Sequence, residues 1–431
     1  MLQISDTKRT FTRNGFPFFY LADTCWSAFT NISEDDWIYY LDYRKAQGFN
    51  VIQVNMLWQW DASGSLVDSL PFEKRLDGTF DYDKPNESYF DRAYRMIAEA
   101  DKRGFTIALV LFWVNYLPDT WASKFINQTG IFPKDKVEGY VSDIVHRYDE
   151  FNPIYVISGD TDFPSEEVID YYELALNKVK SLVPHALTTL HIRGRESSLP
   201  VRLRENPNLD FYMYQSGHNS FYPEMPYYLA EEFYRMEPIR PLLNSEPCYE
   251  MMGYSGSSYG RWSREDVRRA AWQSVLSGAH AGLTYGAAGI YSWHIDQTGF
   301  NRNLGEGFDY PYDWRDALKF RGAWDYGFVR EIFERYEMYD LFPSQNKLIH
   351  KSNDIRVAEN SRFIFVYVPH NTRISLRGNL SQCSACYIDL DQHFQMLISC
   401  HYQQKHDQTV YEMHKFVRDA LLIIDKNIKT K

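Results

Sequence analysis

Cysteine is scarce in this 431-residue chain: five residues, an odd number, too few for a disulfide framework. Long apolar runs are missing as well. No stretch approaches the roughly 18 uninterrupted apolar residues of a membrane-spanning helix, so no membrane partner is expected. The N-terminus, Met1 to Arg9, lacks an apolar segment behind a basic start. The expectation is a cytoplasmic protein, or a secreted or periplasmic one whose leader has been removed. A basic excess is absent too. With 46 Lys and Arg against 57 Asp and Glu, the net charge is −11 and the two signs are interspersed, which removes nucleic acid as the default partner. Neither G-x-G-x-x-G nor G-x-x-x-x-G-K-[ST] follows any candidate strand, so a phosphate-binding open sheet loses its usual signature. No G-x-S-x-G elbow follows any of these candidate strands and no H-E-x-x-H occurs anywhere, which disfavours a serine nucleophile and a zinc hydrolase. Cys383, Cys386, Cys400 and His401 are a weak candidate zinc set, because Cys386 opens a strand-like run and no second C-x-x-C exists.

Aromatic residues, by contrast, are abundant: 11 Trp, 33 Tyr and 28 Phe, 17% of the chain. Most must fill the core, yet aromatic faces in clefts also suit ligands with apolar faces and polar edges, sugars above all.

From Phe18 to Trp293 short apolar runs alternate with amphipathic segments, the pattern of parallel βα units. Eight candidate strands can be counted: Phe18–Asp23, Asn50–Met56, Phe105–Phe112, Pro153–Ser158, Leu187–His191, Asp210–Gln215, Arg240–Ser245 and Gly282–Tyr285. Helix starts with capping-box spacing and acids in the first turn stand at Ser33-Glu34-Asp35-Asp36 and Ser263-Arg264-Glu265-Asp266. The count predicts a (β/α)₈ barrel over residues 1–343. A last helical stretch, about Arg315 to Tyr339, leads to the boundary at Leu341-Phe342-Pro343-Ser344. Residues 344–431 change to short β-type runs and predict a small C-terminal β-sandwich.

In barrel enzymes the chemistry sits at the C-terminal ends of the strands. Two carboxylates stand there, Asp160 after the fourth strand and Glu246 after the seventh. Glycoside hydrolysis needs such a pair, about 5 to 5.5 Å apart for retention and roughly 6.5 to 9.5 Å for inversion, and no cofactor or metal. Asp160 has a second reading as a cap for the helix at Pro164-Ser165-Glu166-Glu167. Glu246, ahead of Pro247, has one as a solvated loop residue. Candidate pocket residues for an oligosaccharide are Asp23, Trp58, Trp113, His191, Gln215, His218 and Tyr285, with Trp26, Trp60, Tyr249 and Trp293 as further aromatic candidates. Arg193 and Arg195 are placed to meet a carboxylate on the ligand.

Taken together, Gly15 to Trp26, Gly48-Phe49-Asn50-Val51-Ile52-Gln53, Ser158-Gly159-Asp160, Asn244-Ser245-Glu246-Pro247-Cys248-Tyr249-Glu250 and Gly282-Leu283-Thr284-Tyr285-Gly286 resemble the apiosidase-like glycoside hydrolases. Pro85-Asn86 and Phe320-Arg321-Gly322-Ala323-Trp324 add to the resemblance. It implies a (β/α)₈ catalytic domain with a C-terminal β-sandwich and action on plant-polysaccharide side chains. The type activity releases a substituent from the apiose branch of a pectic rhamnogalacturonan. By motif it makes Asp160 the acid/base and Glu246 the nucleophile. In the wider clan an Asn-Glu pair ends the fourth strand; here Gly159-Asp160 replaces it, and His191, Gln215 and His218 are the candidates to hold the sugar 2-hydroxyl. Two alternatives stand beside this reading: a β-glycosidase for another sugar, such as a glucoside or arabinoside, and a barrel that binds carbohydrate without turnover.

Overall fold

The computed structural model describes residues 1–60, 63–124, 129–256, 258–300, 310–349 and 352–429. Eight parallel strands form one sheet: Tyr20–Thr24, Val51–Asn55, Thr106–Trp113, Ile154–Gly159, Thr188–Thr189, Tyr212–Tyr214, Leu242–Asn244 and Gly282–Tyr285. Each lies within the run expected for it or overlaps it. Neighbours follow chain order, and the first strand pairs with the eighth, Asp23 opposite Tyr285. The ring closes between the short fifth and sixth strands through individual bonds instead of a ladder. The Asp210 N–H donates to the Thr188 carbonyl at 3.0 Å, and the Thr188 N–H to the Asp210 carboxylate at 2.8 Å.

The strands are buried along their whole length because helices cover the outer face while side chains fill the interior. Ser33 caps the helix Glu34–Ala46 by accepting the Asp36 N–H, and Ser263 with Asp266 makes a complete capping box on Arg264–Val275. Two expectations need correction. Phe18 belongs to a small antiparallel sheet with Phe11–Arg13, and the barrel strand starts at Tyr20. The expected helix from Arg315 to Tyr339 is two helices, Trp314–Ala317 and Gly322–Arg335, because the Gly322 N–H is taken by the Glu250 carboxylate at 2.8 Å and restarts the chain there.

Beyond the barrel a six-stranded antiparallel sheet faces a three-stranded one. Phe342 and Pro343 already pair with Glu359 and Ala358 of the larger sheet. Along Phe363–Val368 and Ala420–Lys429, alternate residues face opposite ways. Phe363, Phe365, Tyr367, Leu421 and Ile423 join the barrel's core, whereas Ile364, Val366, Val368, Leu422 and Ile424 pack toward the smaller sheet. A buried ion pair crosses the seam: Arg268 reaches Asp419 at 3.0 Å, while Asp325 within the barrel holds Arg268 at 2.9 Å and Arg264 at 2.6 Å. Cys386 turns toward the barrel, Cys383 and Cys400 pack at the outer core, and His401 is exposed. Among the described residues no group of three His, Cys, Asp or Glu side chains is placed to hold a metal ion, and no helix is long and apolar enough to cross a membrane.

Candidate active site

At the C-terminal mouth of the barrel lies a cleft of about 790 Å³, counting its opening. Its floor is built from the fourth and seventh strand ends. The fourth strand stops at Gly159, against which the Trp113 indole lies; a Cβ there would come within 2.0 Å of the ring, so only glycine fits. The chain then turns sharply at Asp160, whose φ of +55° lies in the left-handed region that Asp tolerates better than most residues. Its backbone is held from both sides. The Asp160 N–H donates to His191 Nδ1 at 3.0 Å, and the Asp160 carbonyl accepts the Trp121 indole N–H at 3.0 Å. Asp160 borders the cleft, and the helix Glu166–Leu182 is capped by Ser165 instead.

Because His191 Nδ1 accepts a hydrogen bond, the proton of the neutral ring sits on Nε2. That nitrogen is 3.1 Å from Glu246 Oε2, close enough to stabilise a negative charge although the N–H points off the line of a straight hydrogen bond. On the other side His218 Nε2 lies 2.9 Å from Glu246 Oε1. Burial alone would raise the pKa of Glu246; the two imidazoles outweigh it and hold the carboxyl below the usual carboxylate range. Tyr249 completes the setting. Its hydroxyl accepts the Trp26 indole N–H at 3.1 Å, and its ring meets His218 edge to face at 4.5 Å. The result is a buried, ionised carboxylate aimed into a cleft, with a second carboxylate on the same rim.

The walls are aromatic and carry waiting polar atoms. Trp113 stacks on His191, and Trp26, Trp60 and Trp121 continue the cluster at ring separations of 5.0 to 6.4 Å. Gln59 Oε1, Trp113 Nε1 and Gln215 Oε1 are buried and have no protein hydrogen-bond partner. Leaving such an atom unsatisfied costs about 1–3 kcal/mol, which a ligand hydroxyl would recover. Arg193, over Trp121, and Arg195, over Tyr222, add two cations to the lining.

The residues expected from sequence fall into three groups. Asp160, Glu246, Trp113, Gln215 and His218 border this cleft, and His191 supports two of them from beneath. Trp58 borders a neighbouring cleft. Asp23 and Tyr285 do not line the pocket. They stand opposite each other on the outward side of the first and eighth strands, where Asp23 accepts from Tyr40 at 2.7 Å and Arg44 at 2.6 Å, and Tyr285 donates to Glu250 at 2.6 Å. Successive strand residues alternate between interior and helix layer, and proximity to a strand end does not override that alternation. Trp293 is likewise buried, stacked on Trp314 at 4.3 Å. Gln59, Trp121, Asn219 and Ser255 line the cleft without having been expected; they sit on loops several residues past the strands, where periodicity carries no signal.

The fold is matched by the comparisons. The family model described as the apiosidase-like catalytic domain matches residues 5–340. A solved structure described as a glycoside hydrolase is 23% identical, with 99% of this chain and 97% of that one covered and a TM-score of 0.81. A family 5 glycoside hydrolase of Bacteroides vulgatus is 21% identical over 98% of this chain and 93% of its own, with a TM-score of 0.82. At such identities these structures establish the barrel fold, and no match is found among the curated proteins. The chain belongs to the apiosidase-like family and is a glycoside hydrolase.

Proposed function

We propose that the enzyme is a retaining glycoside hydrolase for oligosaccharides derived from plant polysaccharides, pectic fragments in particular. Glu246 attacks the anomeric carbon while Asp160 protonates the departing glycosidic oxygen, giving a glycosyl-enzyme ester; Asp160 then takes a proton from water, which hydrolyses the ester and restores Glu246. The observation that carries this reading is the state of Glu246, buried yet held ionised by two imidazoles in a cleft that Asp160 also borders. A nucleophile must be unprotonated, and that setting keeps it so. The partnerless Gln59, Trp113 and Gln215 atoms offer hydrogen bonds to sugar hydroxyls, and Arg193 and Arg195 offer charge to a pectic carboxylate. The barrel forms the catalytic unit, and the C-terminal sheets, which the chain enters at Phe342 and Pro343, form a brace fixed to it by the Arg268–Asp419 and Arg264–Asp391 ion pairs.

The test is a screen of aryl glycosides and pectic oligosaccharides with the anomer of the first product followed by NMR. Retention, with Asp160→Asn and Glu246→Gln each lowering kcat by several orders of magnitude in folded protein, is the expected result. Wild-type turnover by either variant, or an inverted product, contradicts the assignment.

A further inference from the structure

Next to the active cleft the barrel mouth opens into a second, larger cleft of about 1290 Å³, and Trp60 borders both. It is built by the loops after the first, second and eighth strands, which are tied to one another. Asn31 donates to the carbonyls of Ser63 and Ser292 at 3.2 and 3.0 Å, Ser63 Oγ lies 2.7 Å from His294 Nδ1, and the Gly64 N–H donates to Gly299 at 3.1 Å. Gly64 is packed so closely on Thr298 that a Cβ would lie 2.3 Å from its carbonyl oxygen. The cleft therefore belongs to a built wall.

Its lining is a partly exposed Trp58, the edge of Trp60, the hydroxyl residues Ser63, Ser65 and Ser69, and an exposed Leu66, with Asp68 as the one ionisable side chain among the described lining residues. An indole surface flanked by hydroxyl and amide groups is the chemistry of a sugar platform. The two clefts differ in charge. Arg193 and Arg195 stand on the far side of the active cleft, on the loop after the fifth strand, whereas the second cleft has no cation among its described lining residues.

We propose that the second cleft is a distal subsite for neutral sugar units, with Trp58 as its stacking platform, so that a bound glycan crosses the barrel mouth past Trp60. The direction of that glycan rests on the hydrolase reading above. Asp160 follows the fourth strand and serves the leaving group, which places the leaving group toward Arg193 and Arg195 and the glycone toward Trp58. The released glycone is then an oligosaccharide, and a carboxylate, where the substrate has one, lies on the leaving-group side.

The experiment is calorimetric titration of the Glu246→Gln protein, with and without Trp58→Ala, against free monosaccharides and size-fractionated pectic side-chain oligosaccharides, beside hydrolysis of the same ladder by enzyme with intact Glu246. Trp58→Ala is expected to weaken the longer members about tenfold and leave the short ones unchanged, with Trp58→Tyr retaining most of the affinity. Equal affinity of the Trp58→Ala and Trp58-containing proteins for long members overturns the subsite and leaves the hydrolase reading standing. Length-dependent, Trp58-dependent binding without hydrolysis by the wild type does the reverse. Failure of every oligosaccharide to bind overturns the subsite.

Discussion

Replacing His218 by phenylalanine tests the electrostatic argument for Glu246 with little change of shape. The ring keeps its place against Tyr249, 4.5 Å away, and the Nε2 donor 2.9 Å from Glu246 Oε1 disappears. A hydrogen bond to a charged group is worth about 1.5–3 kcal/mol, and a pKa change of one corresponds to about 1.36 kcal/mol, so the Glu246 pKa should rise by about one to two. The sign follows from the direction of the native shift. The pKa of Glu246 is lowered on folding, so it contributes stability that is present above its ordinary value of 4.5 and is lost as the pH falls through the lowered value. His218→Phe removes part of that contribution at neutral pH. The acid limb of kcat/KM, followed on whichever aryl glycoside the screen identifies, should move upward by about one to two pH units, and urea unfolding should show a loss of about 1.5–3 kcal/mol near neutrality that shrinks in acid. An unmoved acid limb together with an unchanged unfolding midpoint refutes the claim that the imidazole stabilises the carboxylate.

Other parts of the structure carry their own expectations. Gly159→Ala places a methyl 2.0 Å from the Trp113 ring and should displace the indole from His191, lowering kcat by orders of magnitude with the barrel intact by circular dichroism. Burial pushes Glu250 up from 4.5 to about 7 against its bonds from Tyr285 and the Gly322 N–H. A raised carboxyl pKa means that the folded state binds more protons between those values, so folding should lose about 3 kcal/mol as the pH rises through that window. Glu250→Gln should abolish this slope; parallel unfolding curves for the two proteins contradict it. Arg268→Met removes one partner of Asp325 and Asp419 in the buried seam and should cost about 3–5 kcal/mol, read as a lower melting temperature.

The barrel was legible because its strands are near-continuous apolar runs separated by capped helices, and eight such runs leave little choice of architecture. The two carboxylates were legible for the same reason, standing one residue past the fourth strand and two past the seventh. What periodicity does not encode is which way a strand-end side chain points. Asp23 and Tyr285 stand at strand ends yet face the helices, where Asp23 neutralises the buried Arg44. Trp58, expected in the active cleft, lies in its neighbour, because the loop after the second strand carries it around Trp60. In the C-terminal sheets the long strands were readable from two buried faces. Gln395–Leu397, Cys400–Gln403 and Gln408–Tyr411 were not, since each has only three or four residues and no sustained apolar run.

The role of Glu246 as nucleophile is tested most directly by chemical rescue. Glu246→Ala is to be incubated with azide and a substrate that the wild type hydrolyses, and the anomeric configuration of the sugar product read by NMR. The expected result is an inactive variant whose turnover returns with azide and yields a glycosyl azide of configuration opposite to the substrate. Hydrolysis without azide, or no rescue by azide at Glu246→Ala while Asp160→Ala yields the inverted azide, contradicts it.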